Sequence, residues 1–163
     1  MTLRIVALTT AVLLSGAAGC QPSTEPRAAA PATRRSLPAG DVIGVEGLYG
    51  SHAWLGIPYA EPPVGELRWR APRPLARWQD EREALAFGSP CVQYASPVGG
   101  VPEEPGEIVG SEDCLFLNVW APPFAPDAVP IGDERLPVML WIHGGGNSIG
   151  ESGFYNGGNL ATT

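Results

Sequence analysis

The stretch Leu136-Pro137-Val138-Met139-Leu140-Trp141-Ile142 constrains this chain more than any other, because it is nearly continuous in apolar character and runs straight into His143-Gly144-Gly145-Gly146. A strand buried on both faces requires such a run, whereas a half-exposed strand alternates. The run therefore predicts a buried strand over residues 136–142. The glycines after it leave the backbone free to turn sharply and to aim its amide N–H groups outward, since no side chain limits the dihedrals or blocks a ligand. On its own a glycine run also reads as an ordinary turn.

Elsewhere the pattern is one of short strands punctuated by turns, as the 21 glycines and 18 prolines suggest. Residues 42–48 and 53–58 read as edge strands, and residues 114–120 alternate large apolar side chains with others and read as a further strand. Pro58, Pro62 and Pro63 forbid a continuous ladder, so residues 59–74 are expected to cross the surface as irregular chain. After Cys91 a glycine- and proline-rich loop should run to Glu112. A chain of 163 residues can bury one ordinary core, which makes one domain the natural count.

Residues 1–20 stand apart from any fold. Arg4 supplies a positive start, residues 5–14 are apolar but too short to span a bilayer, and Ser15-Gly16-Ala17-Ala18-Gly19-Cys20 offers small residues at a cleavage site. This is a secretory signal. The residues before Cys20 resemble a bacterial lipobox, although Ala17 stands where leucine is usual; lipidation of Cys20 and plain secretion with cleavage near Ala18 or Gly19 both fit. Residues 21–40, rich in proline and alanine, have no apolar periodicity and read as a flexible tether between a lipid anchor and a globular part spanning 41–163. The formal charge of -7 and the absence of lysine leave no basic surface for a phosphate backbone, so nucleic acid is not an expected partner.

A strand followed by His-Gly-Gly-Gly is the motif with which esterases and lipases of the α/β-hydrolase fold build an oxyanion hole. Upstream, Ser111-Glu112-Asp113-Cys114-Leu115-Phe116-Leu117-Asn118-Val119 resembles the type B carboxylesterase signature around Glu-Asp-Cys-Leu, with Phe116 in place of the commoner tyrosine. Further upstream, residues 56–65, with Leu67, Arg68, Trp69 and Pro72, look like the same family's N-terminal crossover. The motifs stand in family order and cover residues 42–161. The resemblance implies an α/β-hydrolase fold, of which this sequence would hold the N-terminal part of the central sheet with antiparallel strands before it, ending ahead of the nucleophile elbow. It implies hydrolysis of a small-molecule carboxylic ester through a serine acyl-enzyme, with Gly145 and Gly146 as oxyanion donors, and His143 and Gly144 shaping the loop. The serine, the acid, the base and a third donor would lie beyond Thr163.

The resemblance also gives the cysteines a reading. Secreted chains spend cysteine on disulfides, and once Cys20 is set aside for lipid, Cys91 and Cys114 remain and should pair. The bridge would close a surface loop of about 24 residues, as the cysteine of the Glu-Asp-Cys motif does in the family, and contribute roughly 3 kcal/mol in the chain-entropy model.

Gly146-Asn147-Ser148-Ile149-Gly150 satisfies the G-x-S-x-G pattern of a nucleophile elbow, yet Ser148 is not expected to be the nucleophile. It shares a loop with the oxyanion donors instead of facing them across a substrate carbonyl, and no histidine follows it. Ser152 fares no better, and His52 reads as a turn residue before a strand. Glu112 and Asp113 are expected to pair with arginine near the crossover. Trp54, Trp69, Trp78, Trp120 and Trp141 are expected in core or crossover packing. No metal spacing, phosphate loop or dinucleotide fingerprint appears, so no metal or other cofactor is expected. An esterase-like binding or adhesion protein that kept the fold and lost the triad is the alternative.

Overall fold

A computed structural model describes residues 27–101, 104 and 106–163. The leader, Cys20 and the start of the tether lie outside the described residues. Three small sheets are built from eight strands: β1 (Arg35–Leu37), β2 (Gly40–Ile43), β3 (Val45–Glu46), β4 (His52–Pro58), β5 (Arg82–Glu83), β6 (Gln93–Tyr94), β7 (Ile108–Val109) and β8 (Phe116–Ala121). Their orders are β1-β2-β5, β3-β4-β8 and β6-β7. All pairs are antiparallel except β2 with β5. The first two sheets are stitched by the Leu55 N–H on Ala84 O at 2.9 Å and the Ala84 N–H on Ile43 O at 2.8 Å.

β4 organises the core. Trp54 and Ile57 join Val42 and Ala84 in one buried cluster, and Ala53 and Leu55 join Val45 in another. One strand thus feeds two clusters, as a strand covered on both faces does, with Ile57 set on the side of Trp54 by the slip in register between them. The expected edge strand over residues 53–58 is therefore central, with β3 on one side and β8 on the other. Its register against β8 slips between Trp54 and Ile57, where Gly56 has φ +69°. A Cβ there would stand 2.5 Å from Ala86 O, so the bulge needs glycine.

Four further expectations are corrected. The strand over residues 42–48 divides into β2 and β3 at Gly44, and Leu48–Gly50 forms a 3₁₀ turn. The tether does not extend to residue 40: Pro31–Thr33 make a 3₁₀ turn, β1 and β2 pair, and Thr33 is 0% exposed. Its hydroxyl donates to Ala30 O at 2.6 Å and accepts the Gly44 N–H at 2.7 Å, while its carbonyl accepts the Trp54 indole N–H at 2.8 Å. His52 is no turn residue but the buried first residue of β4. Residues 136–142 form no strand and are exposed, Val138 by 93%, because no strand lies beside them among the described residues and a lone strand has no ladder to join.

Other expectations hold. β8 lies where residues 114–120 read as a strand, and residues 59–74 cross as irregular chain with one 3₁₀ turn, Gly65–Leu67. Glu112 pairs with Arg68 of that crossover. The loop after Cys91 carries a small hairpin, β6 with β7. Trp54 is core, but Trp69 is 93% exposed and Trp141 is exposed as well.

Candidate functional site

The glycine loop is a tight turn closed on itself. The N–H groups of Ser148 and Ile149 both donate to Gly145 O at 3.2 Å, and the Ser148 hydroxyl donates to the same oxygen at 3.2 Å. This folding demands left-handed backbone at Gly145 (φ +123°), Gly146 (φ +63°), Asn147 (φ +58°) and Gly150 (φ +122°). Gly145 is glycine for want of space as well, since a Cβ would stand 1.7 Å from Ile149 O. Gly144 and Gly146 face open surroundings: a Cβ on Gly144 meets nothing within 4 Å, and one on Gly146 comes no closer than 3.9 Å, to the Ser148 hydroxyl.

The consequence for chemistry lies in the donors left over. Among the described residues, no acceptor takes the N–H of Gly144, Gly145 or Gly146. Free N–H groups on an open turn held by its own hydrogen bonds are the material of an anion site.

His143 borders the loop. Its Nδ1 lies 2.9 Å from Gly144 O, and its ring stacks on Tyr155 with centroids 6.2 Å apart. Trp141 meets the same tyrosine at 5.7 Å, so the apolar run and the start of the loop both lie against Tyr155. The far end of the loop is tied to the hairpin, because Gln93 bonds both the N–H and the carbonyl of Gly150. A groove of about 340 Å³ opens there between Val92, Gln93, Tyr94, Ile108 and Ser148. Sequence reasoning missed Gln93; its one visible signal is its place two residues after Cys91.

The expected Cys91–Cys114 bridge is present, with Cα atoms 5.0 Å apart. Neither serine set aside as nucleophile gains a base. Ser148 is engaged with Gly145, and the Ser152 hydroxyl accepts from Asn118 Nδ2 at 2.9 Å. His52 is far from a serine's needs: its Nδ1 is buried without a hydrogen-bond partner, and burial followed by the nearby Arg35 charge pushes its pKa down against the opposing pull of Glu46.

Residues 32–163 match the model of the carboxylesterase family. The chain is 44% identical over 115 residues to the para-nitrobenzyl esterase of Bacillus subtilis (strain 168), covering 69% of this chain and 22% of that protein. To the phenmedipham hydrolase of Pseudarthrobacter oxydans it is 45% identical over 122 residues, covering 72% of this chain and 22% of that protein. Among solved structures, a PNB esterase superposes with a TM-score of 0.64 at 38% identity over 80% of this chain and 25% of that one. A thermophylic PNB esterase gives 0.64 at 37% identity, over 80% and 26%. The chain thus spans about a quarter of the length of these structures. Its sheets are a partial, strand-rich portion of their α/β-hydrolase fold.

Proposed function

The chain belongs to the carboxylesterase family, and on that premise we propose that it is part of a carboxylic ester hydrolase working through a serine acyl-enzyme, to which it contributes the oxyanion loop. The observation that carries this reading is the turn at Gly145 and Gly146, whose N–H groups have no acceptor among the described residues. When a serine attacks an ester, the carbonyl oxygen takes up the charge that leaves the π bond. Donors already held in place stabilise that charge without reorganising, and losing one costs about 3 to 4 kcal/mol. Gly145 and Gly146 would serve as two such donors, with His143 and Gly144 shaping the turn. In this reading Ser148 is a loop residue and not the nucleophile.

The test is hydrolysis of a short-chain nitrophenyl ester. The 163-residue chain should show no turnover above background, and a protein completed to the family's length should turn over the ester. A completed protein with an intact fold and no turnover would instead support a binding protein. An active 163-residue chain that loses activity on Ser148→Ala would make Ser148 the nucleophile after all.

From the leader and the small residues before Cys20 we propose, separately, that the protein lies outside the cytoplasm on a lipid attached to Cys20, with plain secretion after cleavage near Ala18 or Gly19 as the alternative. Labelled palmitate fed to an expressing bacterium should appear on the protein, and Cys20→Ser should release it to the soluble fraction. Label that survives the substitution would remove Cys20 as the anchor.

A further inference from the structure

We propose that Gln93 is a positioning residue for the oxyanion loop, a role that rests on the esterase reading above. Gln93 sits in β6 with its side chain buried. Its Oε1 accepts the Gly150 N–H at 2.6 Å, and its Nε2 donates to Gly150 O at 2.9 Å and to Cys91 O at 3.1 Å. One carboxamide thus makes to one residue the pair of bonds that a neighbouring strand would make. Two carbonyls face the amide nitrogen and one N–H faces the amide oxygen, so only one orientation of the group satisfies all three.

Gly150 is the point from which the loop is held. A Cβ on it would stand 2.7 Å from Gly144 O and 3.0 Å from His143 Nδ1, so the two ends of the turn lie against each other there. Fixing Gly150 therefore fixes the departure of the chain at Gly144, and with it the direction of the Gly145 and Gly146 N–H groups. The loop's own bonds, from Ser148 and Ile149 to Gly145 O, set its shape but not its placement. The far end is placed by Gln93, which stands two residues from Cys91, itself bonded to Cys114 just before β8. A run of bonds thus leads from the β3-β4-β8 sheet through the disulfide and one carboxamide to the loop.

Gln93 touches no reacting atom in this scheme; it acts through the glycines. Its loss should be felt where oxyanion charge develops, in the transition state, more than in substrate binding. In the protein completed to the family's length, Gln93→Met preserves volume and removes both polar atoms. It should lower kcat on a nitrophenyl ester by about tenfold or more and leave KM within about twofold. Gln93→Glu is diagnostic: a protonated carboxyl offers Gly150 one donor and one acceptor, as the carboxamide does, whereas the ionised form only accepts. Its kcat relative to the unsubstituted protein at each pH should rise as pH falls through the carboxyl's titration, and the same ratio for Gln93→Met should stay flat. Parental kcat in Gln93→Met, or a flat ratio in Gln93→Glu, overturns the proposal. Should Gln93→Met fold poorly, the pH ratio of Gln93→Glu decides. Should the unsubstituted protein hydrolyse no ester, the esterase reading is what fails. The positioning of the loop is then read from the Gly145, Gly146 and Gly150 amide resonances, which must shift in Gln93→Met and overturn the role if they do not.

Discussion

Asn118 of β8 supplies the hydrogen bond that the bulge in β4 takes away from Gly56. Its Oδ1 accepts the Gly56 N–H at 2.9 Å, at the slip in register between Trp54 and Ile57. Its Nδ2 donates to Ser152 Oγ at 2.9 Å, so one side chain closes the bulge and ties down the segment after the glycine loop. Asn118→Leu keeps the shape and leaves the Gly56 N–H unpaired, which should cost about 1 to 3 kcal/mol. Denaturant midpoints of the two proteins would measure it, and equal midpoints would mean that the bulge is held by its backbone alone.

The bridge between Cys91 and Cys114 joins residues 23 apart in sequence, and the β6-β7 hairpin lies inside the loop it closes. Reduction should therefore lower stability by about 3 kcal/mol, the chain-entropy value for a loop of this size. Thermal melting with and without dithiothreitol would show it. A melting temperature indifferent to reductant would contradict a structural role for the bridge.

His52 makes stability pH-dependent. Burial first, and then the Arg35 charge, hold its folded pKa below the ordinary 6.5, against the weaker opposing pull of Glu46. The unfolded chain thus takes up the proton more readily, and stability falls as pH drops below about 6.5, levelling once the folded-state histidine is also charged. The exposed Glu81 adds a loss of the same sign at lower pH, because its hydrogen bond to Arg34 depresses its pKa below 4.5. His52→Gln should flatten the first of these slopes and leave the second. Urea titrations at closely spaced pH values would show both, and an unchanged slope near pH 6 would assign the effect to another group.

What could be read in advance follows from where the signal resides. Proline cannot donate to a ladder, so the irregular crossover that follows Pro58, the last residue of β4, was legible without its surroundings. The partners of Glu112 and Cys114 were legible because charge and thiol chemistry each leave few choices. Thr33 was not: its environment is a hydroxyl bonded to Ala30 and Gly44 and a carbonyl bonded to Trp54, contacts that leave no periodicity among alanines and prolines. The run over residues 136–142 failed for the opposite reason. Apolar continuity reports what a segment is able to bury, and burial needs neighbours that the pattern does not name. Gln93 belongs to a two-residue strand, too short for any period to announce it.

The exposed run has a consequence in solution. Leu140 is 83% exposed, and no charged residue interrupts residues 136–142. Uncharged apolar stretches presenting free backbone associate with one another. Leu140→Glu should lower light scattering by the 163-residue chain at fixed concentration without moving its melting temperature. Scattering that stays as high would place the association elsewhere.

The two glycines assigned to the oxyanion differ in why they are glycine, and that difference is testable. At Gly145 a Cβ would stand 1.7 Å from Ile149 O at φ +123°, so Gly145→Ala must open the turn and carry its N–H away from the substrate oxygen. At Gly146 the nearest atom to a Cβ is 3.9 Å away, and φ +63° lies in the left-handed region that alanine enters at a cost of roughly 1 to 2 kcal/mol. In the completed protein, Gly145→Ala should therefore reduce ester turnover by about 10² to 10³, the effect of losing one donor, while Gly146→Ala reduces it less. Ser148→Ala should leave most of the rate, since its hydroxyl is spent on Gly145 O at 3.2 Å. Values of kcat/KM on a nitrophenyl ester, each set beside a melting curve, would separate lost donors from lost fold. If Gly146→Ala proved the more damaging at equal melting temperature, Gly146 rather than Gly145 would be the principal donor to the oxyanion.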